Sequence, residues 1–467
     1  MNVRAISPAS DGRPNAIRAS RISHERIAPS PFAPFALLLL YVGLVYLRPF
    51  EYAQYAPMFR DVPLLPTLMG LTLLAWLTVP GKKFDAPHYP LIAGLLLCVP
   101  MSMISGARWF GGAYQAFVDF VPVVVLFVIA ATLVNAPRRL RQMFGLLAIV
   151  STIIAWHGID QAANGIGWSG IVPVMDRVRY VGFLNDPNDL AMALLMTVPM
   201  TLAFVQRRRS KLLALLALTC VGAMLYCIYL TNSRGAIVAL AVMIGAYSLL
   251  RFGWRRSLVM APLLLAVLVI AAPTRIDDIS ADEDSASGRI EAWYEGVQML
   301  KSYPLLGVGK GQFVEHHFRT AHNSFVLAAA ELGLIGYFFW LSLIALSAMM
   351  LAVLLRSPPP LTTPTSTTGK RHAENADDSW AEHQRLARIL SYSLAGCLAA
   401  GFFLSRSYFV LLYLLLAMIV GLYQSARGRW KHLPRFDFRS AFRRLIMLEV
   451  ASLAFLWITT RTLLAFN

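Results

Sequence analysis

Residues 323–355, NSFVLAAAELGLIGYFFWLSLIALSAMMLAVLL, form a run of 33 residues with one ionisable side chain, Glu331. A helix needs about 20 mostly apolar residues to cross the hydrocarbon layer of a bilayer. Lipid satisfies no backbone polar group, so an uninterrupted run of this length reads as a spanning helix. Working outward, further apolar runs lie at 35–47, 62–79, 90–105, 117–134, 143–159, 188–205, 212–230, 235–250 and 257–272, then at 386–404, 407–424 and 445–464. The last carries Glu449 and Arg461 and reads equally as a segment lying along the interface. The expected fold is an all-α polytopic membrane protein with 12, or 13, transmembrane helices.

Composition agrees. Of 467 residues, 57% are hydrophobic and 14% charged, against about a quarter charged in a soluble domain. The net charge of +17 does not point to nucleic acid, because Lys and Arg sit in short clusters between the apolar runs. If residues 1–34 are cytoplasmic and the runs alternate, 29 of the 42 Lys and Arg fall on the cytoplasmic side and 13 on the other. The basic connections are then Lys82–Lys83, Arg138–Arg141, Arg207–Lys211, Arg251–Arg256, 356–388 and 425–444, as the positive-inside rule requires. Cys98, Cys220, Cys227 and Cys397 all fall in apolar runs without a C-x-x-C pair and read as small hydrophobes. The basic, proline-containing tail 1–34 is expected to be disordered, and the first apolar run lacks the small-residue cleavage site of a signal peptide.

Two connections are long. Residues 356–385 are rich in Pro, Thr and Ser and then in charge, which predicts a disordered cytoplasmic linker. Residues 273–322 lie on the opposite face and carry aromatics, glycines and charges of both signs, which predicts an ordered, functional loop. Within it, Ile290, Trp293, Val297 and Leu300 recur at helical spacing and predict an amphipathic helix.

Several polar residues stand out against this background. Arg234, in LTNSRGAIVAL (230–240), lies between two apolar runs. It either faces a cavity or anionic partner or snorkels to water at a turn. In VGFLNDPNDLA (181–191), Asp186, Pro187 and Asp189 make a helix start, with Asn185 and Asn188 open to a binding role. Arg289 is a surface cation or an anion ligand. The glycines of YPLLGVGKGQF (303–313) lack the G-x-G-x-x-G order and a preceding strand, so no dinucleotide site follows; they make turns or admit a phosphate. His322 and Asn323 stand at the mouth of the tenth run, with Glu331 deeper along it. A histidine there is a helix cap or a catalyst. The carboxylates of 277–285 lack metal-loop spacing and read as an acidic surface.

Taken in order, SRG (233–235), R-x-x-x-W (289–293), P-L-x-G-V-G-x-G (304–311) and HNSF…E-x-G-x-x-G (322–336) resemble the O-antigen ligase and polymerase family over about 180–350. RPFE (48–51) is similar to ligase-like members as well. The resemblance implies a GT-C-like helical glycosyltransferase with a large periplasmic loop in the bacterial inner membrane. It would move a glycan from an undecaprenyl-diphosphate carrier to lipid A-core, a growing polysaccharide or a protein, inverting the anomeric carbon without a metal or cofactor. It implies that Arg234 and Arg289 bind the carrier diphosphate and that His322 is catalytic, with Asn323, Asn188 and Glu331 accessory. The bilayer and the donor and acceptor glycans are the implied partners. A polymerase of the same family is one alternative, and a lipid-linked-sugar transporter or flippase is another. Transporters tend to carry inverted repeats, and none is visible here.

Overall fold

The computed structural model describes residues 32–205, 210–260, 279–359 and 367–465, with side chains absent from the description over 279–286 and 367–376. The tail 1–31, most of the expected 257–272 span and residues 360–366 of the expected linker lie outside the described residues. So does the acidic stretch 277–285, apart from the helical backbone of 279–285.

Among the described residues the long elements are helices: α1 (Phe32–Leu47), α2 (Leu64–Leu77), α3 (His88–Ser102), α4 (Phe110–Leu133), α5 (Pro137–Asn164), α6 (Pro187–Val205), α7 (Lys211–Leu230) and α8 (Arg234–Phe252). They continue with α9 (Ile279–Ser302), α10 (Ser324–Arg356), α11 (Thr367–Gly401), α12 (Val410–Arg429) and α13 (Phe438–Ala465). Among the described residues eight helical spans are long and apolar enough to cross a membrane, α1 and α3 being counted with the turns that carry them on to Glu51 and Ala107; 12 or 13 crossings are expected. α2, at 14 residues, is too short to qualify. α6 is enclosed by α5, α7 and α11, and its buried Thr197 and Thr201 donate to backbone carbonyls within it.

Contacts at and near the connections gather them at two ends: Asp85 meets Arg427 and Arg141 meets Glu382 at one, while Ala53 bonds Ser169, Arg177 bonds Thr231 and Thr320 bonds Ser405 at the other. Lys82, Lys83, Arg138, Arg139, Arg141, Arg251, Arg255, Arg256, Arg356, Arg427 and Lys431 cluster at the first. The connections after α1, α3, α5, α7 and α11, with α9 and the mouth of α10, gather at the second.

The expected disordered linker is corrected by α11, which starts at Thr367 and runs through residues assigned to 356–385. Trp380, His383, Leu386, Ala387 and Leu390 recur at helical spacing and are buried. Trp380 stacks edge-on against Trp430 at 4.8 Å, and Glu382 bridges Arg141 and Arg385. Glu382, His383 and Arg385 bond across to neighbouring helices, and the apolar stripe beside them pays the ordering entropy.

α10 is broken rather than continuous. Gly333 has φ 63° and ψ −170°, a region essentially reserved for glycine. The loop 303–311 enters the break. Val308 and Gly309 donate to the carbonyls of Ala330 and Glu331, while Leu334 and Ile335 donate to those of Pro304 and Leu305. A Cβ on Gly307 would lie 2.3 Å from the Glu331 carbonyl carbon, and one on Gly333 2.5 Å from that of Leu305. The glycines therefore serve backbone-on-backbone contact, which satisfies polar groups that a break within a spanning helix would otherwise orphan.

Candidate functional site

The site lies at the end of the bundle opposite the basic connections, where α10 begins. Asn323 caps α10, its Oδ1 accepting from Phe325 and Val326 at 2.9 and 3.2 Å. Immediately before it, His322 is held in the left-handed region at φ 46°, an uncommon conformation that His tolerates better than most residues. The connection between α11 and α12 grips the chain on both sides of this histidine. Ser405 bonds Thr320 at 2.8 Å, Ser324 donates to Leu404 O at 2.6 Å, and Ser407 donates to Ser324 O at 2.7 Å. The Arg406 amide closes the same clamp on Ser324 Oγ at 2.9 Å.

Arg406 also turns its guanidinium onto Asp189 in the first turn of α6, Nε and Nη2 each meeting one carboxylate oxygen. Immediately before Asp189, Asn188 is engaged within the protein: its Oδ1 accepts from Arg177 at 2.8 Å and its Nδ2 donates to Asp186 at 3.0 Å. Arg177 comes from a tight turn, 174–177, whose two central residues have positive φ, and its Nε donates to Thr231 O at 2.8 Å. That contact ties α6 to the connection carrying Arg234.

Arg234 is the exposed first residue of α8, after the N-cap Ser233. Its neighbour Gly235 packs against Phe403, where a Cβ would come within 3.0 Å. The glycine of SRG thus lets α8 approach the segment that carries Arg406. Arg289 lies half-buried on α9. Arg319 packs across Gly288, the residue before it, where a Cβ would lie 2.3 Å from the guanidinium. Arg289 and Arg319 both act electrostatically on His322, so their positive charges converge on that residue.

Burial, and after it the charge of Arg289, hold the His322 imidazole below the usual histidine range. Asp186 pulls the other way, and Arg319 and Arg406 add to the lowering. His322 is therefore neutral at pH 7 and able to accept a proton. The structure brings His322 and Arg289 together with Asp186, Arg319 and Arg406, and places Arg234 and Asn188 in the adjoining network. Glu331 stands apart from it. It is 2% exposed beneath the glycine loop and accepts from Tyr408 at 3.0 Å, which assigns it to holding that loop.

Arg406 and Arg319 were not singled out from the sequence. The signal for Arg406 was present, since Ser405-Arg406-Ser407 lies between two apolar runs as Ser233-Arg234-Gly235 does. RPFE acts as support. Arg48 pairs with Glu51 and lies 5.5 Å over Phe183, whose ring meets Phe409 edge-on at 5.4 Å, so the motif buttresses the turn that carries Asp186.

Comparison with curated proteins finds no match. Residues 219–341 match a family model described as O-antigen ligase. The matched segment runs from α7 into the first part of α10 and contains Arg234, Arg289, His322, the glycine loop and Gly333, while Asn188 and Arg406 fall outside it. Over residues 219–341, this multi-pass membrane protein carries a domain of the O-antigen ligase family.

Proposed function

We propose that the protein transfers a glycan from an undecaprenyl-diphosphate carrier to an acceptor hydroxyl at the periplasmic face of the bacterial inner membrane. The observation that carries this reading is a neutral imidazole, His322, set beside Arg289 and Arg319 at the end of the bundle opposite the basic connections. The positive-inside rule assigns that basic end to the cytoplasm.

The chemistry follows from these groups. The acceptor oxygen attacks the anomeric carbon from the face opposite the diphosphate, and the bond between that carbon and the phosphate oxygen breaks with its electron pair staying on the diphosphate. Arg289 and Arg234 meet the charge that develops there, their planar forks matching phosphate oxygens two at a time. The N-terminus of α8, where Arg234 sits, adds its own partial positive charge. His322 takes the proton released by the acceptor hydroxyl. Asp186 and Asn188 hold Arg177 and the start of α6 beside this centre, and Asn323 fixes the position of His322 as the cap of α10.

The test is the surface glycan of a strain lacking the gene. Loss of long chains from lipid A-core identifies a ligase, and retention of single repeat units identifies a polymerase. Unaltered surface glycan overturns the reading.

A further inference from the structure

At the basic end of the bundle a cavity of 520 Å³ opens between the connection 78–87 and the last turn of α12. Lys83, Phe84, Asp85, Gln424, Arg427 and Lys431 line it. We propose that it seats the phosphate of an anionic phospholipid of the basic-side leaflet.

Charge is the first argument. Asp85 is the one carboxylate on the lining among the described residues, and it is already engaged, accepting from Arg427 Nη1 at 2.6 Å and from Gln424 at 3.5 Å. Lys83 and Lys431 make no ion pair among the described residues. The cavity therefore presents two unpaired ammonium groups beside a neutralised arginine, an arrangement that attracts a phosphate as a point charge and asks for no bidentate geometry.

The rim is the second. Phe84 is 50% exposed and is held in place by edge contacts to Trp76 at 6.2 Å and Tyr89 at 5.2 Å. An exposed ring fixed beside two ammonium groups matches a molecule with a phosphodiester next to a glycerol and acyl chains. A soluble phosphate has no use for it. The volume is also in the range of ligand cavities, roughly 300–1,000 Å³, and basic pockets between helices on the cytoplasmic side are where lipid headgroups bind. Arg255 and Arg256 supply the contrast: they stand exposed at the same end, so they share its overall charge while lying outside this cavity.

The experiment is native mass spectrometry of the purified full-length protein titrated with phosphatidylglycerol, with phosphatidylcholine as the zwitterionic comparison and inorganic phosphate as competitor. Lys83→Ala/Lys431→Ala should weaken phosphatidylglycerol binding about thirty-fold, from roughly five-fold per cation near an anionic headgroup. Arg255→Ala/Arg256→Ala removes the same charge from the same end and should leave binding within about two-fold, since surface attraction without a seat is shared by every cation there. Equal losses in the two variants, or equal binding of phosphatidylcholine, would overturn the assignment. Displacement by inorganic phosphate at matched concentration would also overturn it and make the ligand a free phosphate.

Discussion

The guanidinium of Arg406 and the carboxylate of Asp189 meet through two parallel hydrogen bonds, joining residues 217 positions apart. Asp189 is 1% exposed and the Arg406 side chain 41%. Removing the arginine strands a buried carboxylate, which costs about 3–5 kcal/mol in closed settings; the partial exposure of Arg406 puts this pair toward the lower end. Arg406→Ala should therefore unfold at a clearly lower temperature than the parent, and Arg406→Ala/Asp189→Ala should recover part of the loss. A double variant no more stable than the single one would show that the pair contributes nothing.

Apolar runs were enough to place most of the helices, because a spanning helix must be apolar wherever it meets lipid. The first half of α11 is hidden for the converse reason: Glu382, His383 and Arg385 look solvated in sequence but bond to α5, α12 and α6 respectively. The site divides in the same way. His322 and Arg289 stand out as polar residues at the edges of apolar runs, and the motifs around them are local. The partnership of Arg406 with Asp189 and the insertion of 303–311 into α10 are tertiary facts, and spacing along the chain carries no trace of them. The glycines of that loop were legible as special, but not that their contact is the broken backbone of another helix.

Gly333→Ala and Gly307→Ala test that contact. Both positions have positive φ, and both substituents would overlap a facing backbone carbonyl. Backbone strain alone costs about 1–3 kcal/mol. Each variant should reach a lower level in the membrane and unfold earlier, whereas Gly311→Ala, with open space around its Cβ, should suffer only the cost of its φ. Equal behaviour of all three would mean that the close approach is unimportant.

The pH profile of transfer reports on His322. A base must be neutral to work, and burial together with Arg289 lowers its pKa. The acid limb of the turnover rate should accordingly lie below about 6.5, the ordinary histidine value. Arg319→Gln removes one of the charges that lower it, so the limb should move to higher pH. A limb that stays in place, or shifts to lower pH, would separate the titrating group from His322.

Orientation is open to a fusion test. With 29 Lys and Arg expected on one side and 13 on the other, alkaline phosphatase joined near residue 285 should be active and near residue 370 inactive. Activity at 370, or silence at 285, would reverse the bundle and remove the periplasmic chemistry with it.

The proposed roles of Arg289 and His322 predict different kinetic failures. Arg289→Lys keeps the charge and loses the planar fork, so a diphosphate clamp should be strongly impaired in donor binding. His322→Ala should leave the lipid-diphosphate donor bound and slow turnover about 10²–10⁴-fold if the imidazole is the base. Because His322 holds a left-handed conformation, which Ala adopts less readily than His, the Ala variant alone confounds folding with chemistry. His322→Asn, which tolerates that conformation, separates folding from chemistry. Transfer is measured per unit of protein in the membrane, alongside binding of undecaprenyl diphosphate. Parental transfer by His322→Asn would remove the catalytic assignment. If His322→Asn instead lost donor binding while turnover per bound donor held, the imidazole would be a ligand-positioning group and the proton would leave by another route. Survival of transfer in EDTA is expected in the same assay, since the arginines carry the leaving-group charge; loss with rescue by Mg²⁺ would transfer that role to a metal.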